Sequence, residues 1–273
     1  MRLERILEVV YTKPWAILPT KHRAIQTILE AHLERADFLR PDFLNEDDCT
    51  DNSNYQILGN TAVIPIEGTI LNKCSGLEAL CGAFSLEEFK QDIKDVAARP
   101  DVKNILLNIS SGGGTVTGVP EAADLISELA NSKNVYAYTY DCIASAAYWL
   151  ASQANGIFIS KSAEVGSIGV YLALLDVTGA MENEGIKLEL FKAGKFKAMG
   201  IPGVPLSDEE RALMQASVDK VYTNFTAYVN AKRPAVTSDS MQGQMFDSDE
   251  ALKAGLIDGV INDVNALIDY LNK

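Results

Sequence analysis

Residues 135–160 read VYAYTYDCIASAAYWLASQANGIFIS. The stretch opens on a run of Val, Tyr and Thr, residue types that favour strands, and closes on a second such run, GIFIS. Between them, after the turn former Asp141, Ser145 stands among small residues at the head of an apolar helix. A strand–helix–strand unit predicts parallel strands joined by a crossover helix. It also raises a chemical question. A serine at such a junction is ordinarily only a helix cap, yet it is also placed as a nucleophile with an exposed oxygen would be. The two histidines, His22 and His32, lie far upstream, so neither is an evident base for it.

Working outward, the same alternation holds from Thr61 to the end. The β-rich runs TAVIPI, NILLNI, VYAYTY, GIFIS and KLELF are separated by helical segments, which predicts an α/β domain. Two helix starts are written as capping boxes, Ser85–Glu88 and Ser207–Glu210. The first is flanked by Phe84 and Phe89 in hydrophobic-staple positions. The second opens a long helix with Leu213, Ser217, Val221, Phe225 and Tyr228 along one face, expected to end before Pro234. Upstream, Ile25, Ile28, Leu29, His32 and Leu33 predict an amphipathic helix over about 20–36, with His32 on or beside its apolar face as a structural residue. The acidic, turn-rich NEDDCTDNSNYQ at 45–56 reads as a linker. The expected organisation is an N-terminal helical extension and linker, residues 1–56, followed by one domain over 57–273.

The net charge of −13 leaves no basic surface for a nucleic acid or an anionic membrane. Cys49, Cys74, Cys81 and Cys142 lack metal-ligand spacing and read as free thiols of a reducing compartment. No metal and no cofactor is expected. The opening residues lack a signal peptide's apolar core, and no run approaches the ~18 apolar residues of a membrane span. A cytoplasmic protein without a membrane anchor is therefore expected.

Four short elements carry the chemistry. SSGGGTVTG, Ser110 to Gly118, follows the run NILLNI and precedes a helix. Its backbone N–H groups can serve a phosphate or the oxyanion of a tetrahedral intermediate, though neither GxGxxG nor GxxxxGK[ST] is present. Ser145 is the second element. EVGSIGV, Glu164 to Val170, places Ser167 between glycines, and AGKFKAMG, Ala193 to Gly200, contains Lys197. Each alone has a bland reading: a tight turn, a cap, close backbone packing, a solvated lysine. With no histidine downstream of His32, a lysine is the best available base for Ser145, as in the Ser–Lys variants of the catalytic triad. A free lysine titrates near about 10.4, so such a base must be desolvated to act near neutrality. Phe196, Ala198 and Met199 are the neighbours able to do so, and Ser167 is a candidate to orient the amine.

Taken together the elements resemble the signal-peptide-peptidase-A family of serine peptidases. Ser110-Ser111-Gly112-Gly113 is similar to that family's S-P-G-G motif, and Ala144-Ser145-Ala146-Ala147-Tyr148 to its A-S-G-G-Y. Gly166 to Val170 matches its G-S-I-G-V, and Phe196-Lys197 its aromatic-lysine element. The resemblance covers roughly residues 60–265. It implies a ClpP/crotonase-like fold of repeated β-β-α units, with Ser145 as nucleophile, Lys197 as base and Ser167 as its orienting partner. The N–H groups of Gly113 and Ala146 are the implied oxyanion donors, with Gly112 the second choice for the first. Ser111 stands where the family has proline, which predicts a less rigid oxyanion loop. Ala146 and Ala147 stand for two glycines and predict a narrower S1 pocket. Neither change removes a backbone donor.

The opening KPWAILPTKHRAIQTIL looks like the phage and prophage branch, similar to capsid-assembly proteases that cleave scaffold and portal proteins. The expected function is thus a Ser–Lys endopeptidase of phage head maturation, acting in the host cytoplasm or the prohead as a ring-shaped homo-oligomer on polypeptide substrates. Any scaffold would be a separate chain. Three alternatives stand beside it: a soluble housekeeping peptidase degrading signal peptides, a non-catalytic structural protein of the prohead, and an acyl-CoA-binding crotonase relative, which shares the glycine-rich loop but gives no reason for the Ser–Lys spacing.

Overall fold

The computed structural model describes residues 14–33, 54–74, 78 and 82–273, with no side-chain description for 28–33. The expected apolar face at Leu29, His32 and Leu33 and most of the 45–56 linker lie outside the described residues. In chain order the strands are β1 (Trp15–Ile17), β2 (Gln56–Leu58), β3 (Thr61–Glu67), β4 (Thr69–Leu71), β5 (Ala83–Ser85), β6 (Asn104–Ser110), β7 (Gly113–Thr115), β8 (Asn134–Thr139), β9 (Cys142–Ala144), β10 (Gly156–Ile159), β11 (Glu164–Gly166), β12 (Met245–Phe246) and β13 (Gly259–Val260). The helices are α1 (Pro19–Leu33), α2 (Leu86–Ala98), α3 (Val119–Leu129), α4 (Ala146–Ala151), α5 (Thr178–Asn183), α6 (Asp208–Lys232), α7 (Ser248–Lys253) and α8 (Val264–Leu271).

Each long strand of the main sheet is followed by a short strand that leaves it for a second layer. Thus β3 leads to β4, β6 to β7, β8 to β9 and β10 to β11, and helices α2, α3 and α4 close the first three units. The main sheet has the order β13-β10-β8-β6-β3-β2 and is parallel except for the edge strand β2. The short strands form two smaller sheets, β1-β7-β4-β5 and β12-β11-β9. This is the α/β architecture of repeated β-β-α units that the motifs imply. Its parallel strands are buried on both faces, which explains runs such as NILLNI that do not alternate.

Both predicted boxes open helices, the Ser85 box with one of its two bonds and the Ser207 box with both. The Ser85 hydroxyl accepts from the Glu88 N–H at 3.4 Å, and the Phe84 and Phe89 rings meet at 5.7 Å. Ser207 and Glu210 satisfy each other reciprocally at the head of α6. The buried face of α2 is Leu86, Phe89, Ile93 and Val96, and that of α3 is Val119, Ala122, Ala123, Ile126 and Leu129. Burying one such large apolar side chain contributes roughly 1.5–3 kcal/mol. Helix α4 is buried on every side, and its Trp149 stacks on Phe225 of α6 with centroids 4.6 Å apart. A helix so enclosed fixes the residue at its head.

Two segments differ from expectation. KLELF, expected as a strand, is an exposed stretch without strand pairing, because among the described residues no strand lies beside it. It belongs to an arm, residues 172–206, that carries Leu175 at 81% and Phe191 at 90% exposure. Between Glu67 and Phe84, where no period is legible, the chain forms β4 and β5. Among the described residues no helix is long and apolar enough to cross a membrane.

Candidate active site

Ser145 sits where β9 must become α4 within one residue. Its N–H donates to Gly166 O of β11 at 2.8 Å, while its carbonyl accepts from Trp149 N–H at 2.9 Å to begin the helix. These two bonds require the chain to reverse at this position, and the backbone there has φ 55° and ψ −118°. For a non-glycine residue that conformation costs about 1–3 kcal/mol and persists only where the surroundings impose it. The hydroxyl makes no capping bond to the helix it heads. Its contact is Gly169 O at 3.4 Å, so the bland reading of Ser145 as a cap does not hold.

The glycine-rich loop packs directly on this serine. A Cβ placed on Gly113 would lie 3.0 Å from Ser145 Cβ and 3.0 Å from Ala144 O, and the backbone there has φ +97°. Only glycine fits. The Gly113 N–H donates to Ser111 Oγ at 3.1 Å, and the Ser111 hydroxyl donates to Gly68 O at 2.6 Å. Ser111 is buried, and it ties the loop to the bend between β3 and β4. Where the resembled motif has proline, the Ser111 side chain ties the loop by two hydrogen bonds. Ala146, the first residue of the buried α4, is fully covered. Its N–H is one of those that a helix start leaves without an intrahelical partner.

Ser167 shares the strained character of Ser145, with φ 52°. Its N–H donates to Gln244 O at 2.6 Å, which anchors the turn after β11. Because β11 pairs with β9 in the register Gly166 to Ala144, Ser145 and Ser167 each follow a paired residue on adjacent strands. Lys197 is elsewhere: it lies in the exposed arm, and no hydrogen bond joins it to either serine within the chain. The structure therefore brings together Ser145, Ser167, Gly112, Gly113 and Ala146, and places Lys197 on the exposed arm with no hydrogen bond to them. Burial pushes the neighbouring Cys142 thiol up to about 12, so it stays neutral and is no competing nucleophile. Among the described residues no group of three His, Cys, Asp or Glu is placed to hold a metal.

One part of the site is not legible from the motifs. Strand β1 lies antiparallel to β7, pairing Trp15 with Thr115, Ala16 with Gly114 and Ile17 with Gly113. Its other edge is bonded to Tyr171. His22, distant in sequence, places Nδ1 2.7 Å from Tyr171 OH and its ring 4.7 Å from that of Trp15. The sequence signal was the run WAIL between two prolines, which suits a short strand.

A family model described as peptidase family S49 matches residues 127–272, a span that includes Ser145, Ser167 and Lys197. The capsid assembly protease C of Escherichia phage lambda is 30% identical over 217 residues, 78% of this chain and 49% of that protein. The head-tail preconnector protein GP5 of Enterobacteria phage P21 is 28% identical over 216 residues, 78% of this chain and 43% of that protein. A chloroplastic serine protease SPPA of Arabidopsis thaliana is 30% identical over 207 residues, 73% of this chain and 30% of that protein. The chain thus spans half or less of the length of these curated relatives. By the match over its Ser145-to-Lys197 core, this chain belongs to peptidase family S49.

Proposed function

We propose that this chain is a serine endopeptidase in which Ser145 attacks the scissile carbonyl and Lys197 serves as base. Lys197 takes the hydroxyl proton and returns it to the leaving amine, while Ser167 orients the lysine. The N–H groups of Gly113 and Ala146 receive the oxyanion, with Gly112 as the second choice for the first donor. For Gly113 this requires its bond to Ser111 to be shared or exchanged. A base and an oxyanion donor of this kind each contribute on the order of a hundredfold to rate. The observation that carries the reading is Ser145 itself: a strained, buried serine whose hydroxyl caps nothing, against a glycine that admits no side chain.

The exposed arm supports a further step. With Lys197 on an exposed segment rich in uncovered apolar residues, the lysine is supplied to Ser145 by a neighbouring copy in a ring-shaped homo-oligomer. Exposed patches of this kind mark protein–protein contacts. The unpaired KLELF stretch offers backbone groups to the same contact.

Two of the similar proteins named above are phage proteins, one of them a capsid assembly protease. Head maturation, with scaffold or portal polypeptides as substrates, is accordingly the role proposed. The test is to incubate the protein with phage scaffold and portal proteins and to map new termini by mass spectrometry. Termini produced by the native protein and absent with Ser145→Ala are expected. Identical fragments from both would refute the assignment.

A further inference from the structure

We propose that Trp15–Leu18 is a resident occupant of the acyl-side substrate cleft, and that it holds the enzyme in an autoinhibited state. The inference rests on the reading of Ser145 as nucleophile. The segment is bonded along both edges as an added strand. On one side Trp15 N–H donates to Tyr171 O at 2.9 Å, and Tyr171 N–H donates to Trp15 O at 3.0 Å. On the other, Trp15 to Ile17 pair with β7, and Leu18 N–H donates to Gly112 O at 2.8 Å. The strand therefore lies between the glycine-rich loop and the backbone that follows Ser167.

Its direction is that of a substrate. Strand β7 begins at Gly113, against Ser145, and leads away from it. An antiparallel partner accordingly runs toward the serine, so its C-terminal end reaches the nucleophile. Ile17, opposite Gly113, takes that place. A peptide awaiting attack presents its acyl side in the same way. The fit is also close: a Cβ on Gly113 would meet Ala16 O at 2.2 Å, and one on Gly112 would meet Lys21 Cγ at 2.8 Å. Trp15, Ala16, Ile17 and Ser145 are each at most 2% exposed, so no second strand enters while this one is seated.

The seating is held but costs something. The contacts of His22 with Tyr171 and with the Trp15 ring hold it. Against this, the indole N–H of Trp15 is buried without an acceptor among the described residues, an arrangement that a competing peptide need not share. Opening the cleft therefore means lifting Trp15 out.

The experiment compares the full-length protein with Trp15→Ala on fluorescently labelled casein, an unstructured substrate. The variant is expected to cleave about tenfold faster or more, tenfold corresponding to ~1.4 kcal/mol of strand docking. A synthetic peptide of residues 14–18 should inhibit the variant competitively. A purely structural role would lower the rate instead. Should Trp15→Ala not fold, His22→Ala and Tyr171→Phe weaken the same lock without touching the strand, and a smaller rise is expected. Amide hydrogen exchange of residues 15–18 reads occupancy without reference to activity. Protection in the wild type, lost in Trp15→Ala, is expected. Unprotected amides in the wild type, or equal rates from folded variants and an active wild type, would overturn the proposal. Protected amides with no cleavage by any form would overturn the peptidase reading and the inhibition with it.

Discussion

A Cβ at position 113 would stand 3.0 Å from the Cβ of Ser145, so the glycine-rich loop and Ser145 pack with no room for a methyl group between them. The same Cβ would meet Ala16 O at 2.2 Å, at a backbone φ of +97°. Gly113→Ala should therefore lose at least about a hundredfold in rate, the scale of one misplaced oxyanion donor. It should also lose about 1–3 kcal/mol of stability from backbone strain. Kinetics and thermal melting of the purified variant read both. Near-native activity would separate this loop from catalysis.

The Ser111 side chain makes two bonds that anchor the loop, to Gly68 O and from Gly113 N–H. Replacing it by alanine should cost about 1–3 kcal/mol, because both partners lose a buried hydrogen bond. The rate should change by less than about tenfold, since the Gly113 N–H is freed for the oxyanion rather than removed. Urea unfolding at unchanged slope reads the first effect. A loss in rate as deep as that of Gly113→Ala would show that Ser111 acts in catalysis and not only in anchoring.

Burial pushes the carboxyl of Asp92 on α2 up to about 6, against the pull of its backbone hydrogen bond with Asn54, while Asp95 and Glu88 push it further up. The folded-state value lies above the ordinary one, so the folded protein prefers the protonated acid. Stability is lost as pH rises from about 4 through 6. Asp92→Asn removes that loss, and the variant should be more stable on the order of 2 kcal/mol at pH 8, with no gain at pH 3.5. Melting curves at the two pH values test this, and an equal shift at both would contradict it.

The cleavage rate should rise from pH 6 to pH 9, because a lysine base must be neutral to accept the proton. His22 contacts Tyr171, beside the cleft. A profile governed by an apparent pKa near about 6.5, abolished by His22→Ala, would assign the base to His22 instead. An alkaline profile that survives His22→Ala is expected.

How far this was legible from the sequence follows from the range of the interactions. The capping boxes at Ser85 and Ser207 and the runs NILLNI and VYAYTY are local signals, and each became the element it predicted. The order of the motifs around Ser145, Ser167 and Gly113 carried the rest, since parallel pairing of β6, β8 and β10 brings successive loops to one sheet end. The strain at Ser145 was not legible, because it arises from Gly166 O across a strand pair and from the helix start together. Strand β1 is not legible for a similar reason. Three residues carry too little period to outweigh the helix that follows, and their partners lie at Gly113–Thr115 and Tyr171. KLELF shows the opposite error, where strand propensity has no partner within the chain to realise it.

The pairing proposed above unites Ser145 of one copy with Lys197 of another. It rests on a buried serine and an exposed lysine that no hydrogen bond joins within the chain. The most direct measurement mixes two inactive variants, Ser145→Ala and Lys197→Ala, under conditions that let subunits exchange, with exchange followed by labelled chains. If the pair forms between copies, some interfaces unite an intact Ser145 with an intact Lys197, and cleavage returns in the mixture. If exchange is complete and the mixture stays inactive, the shared site is contradicted.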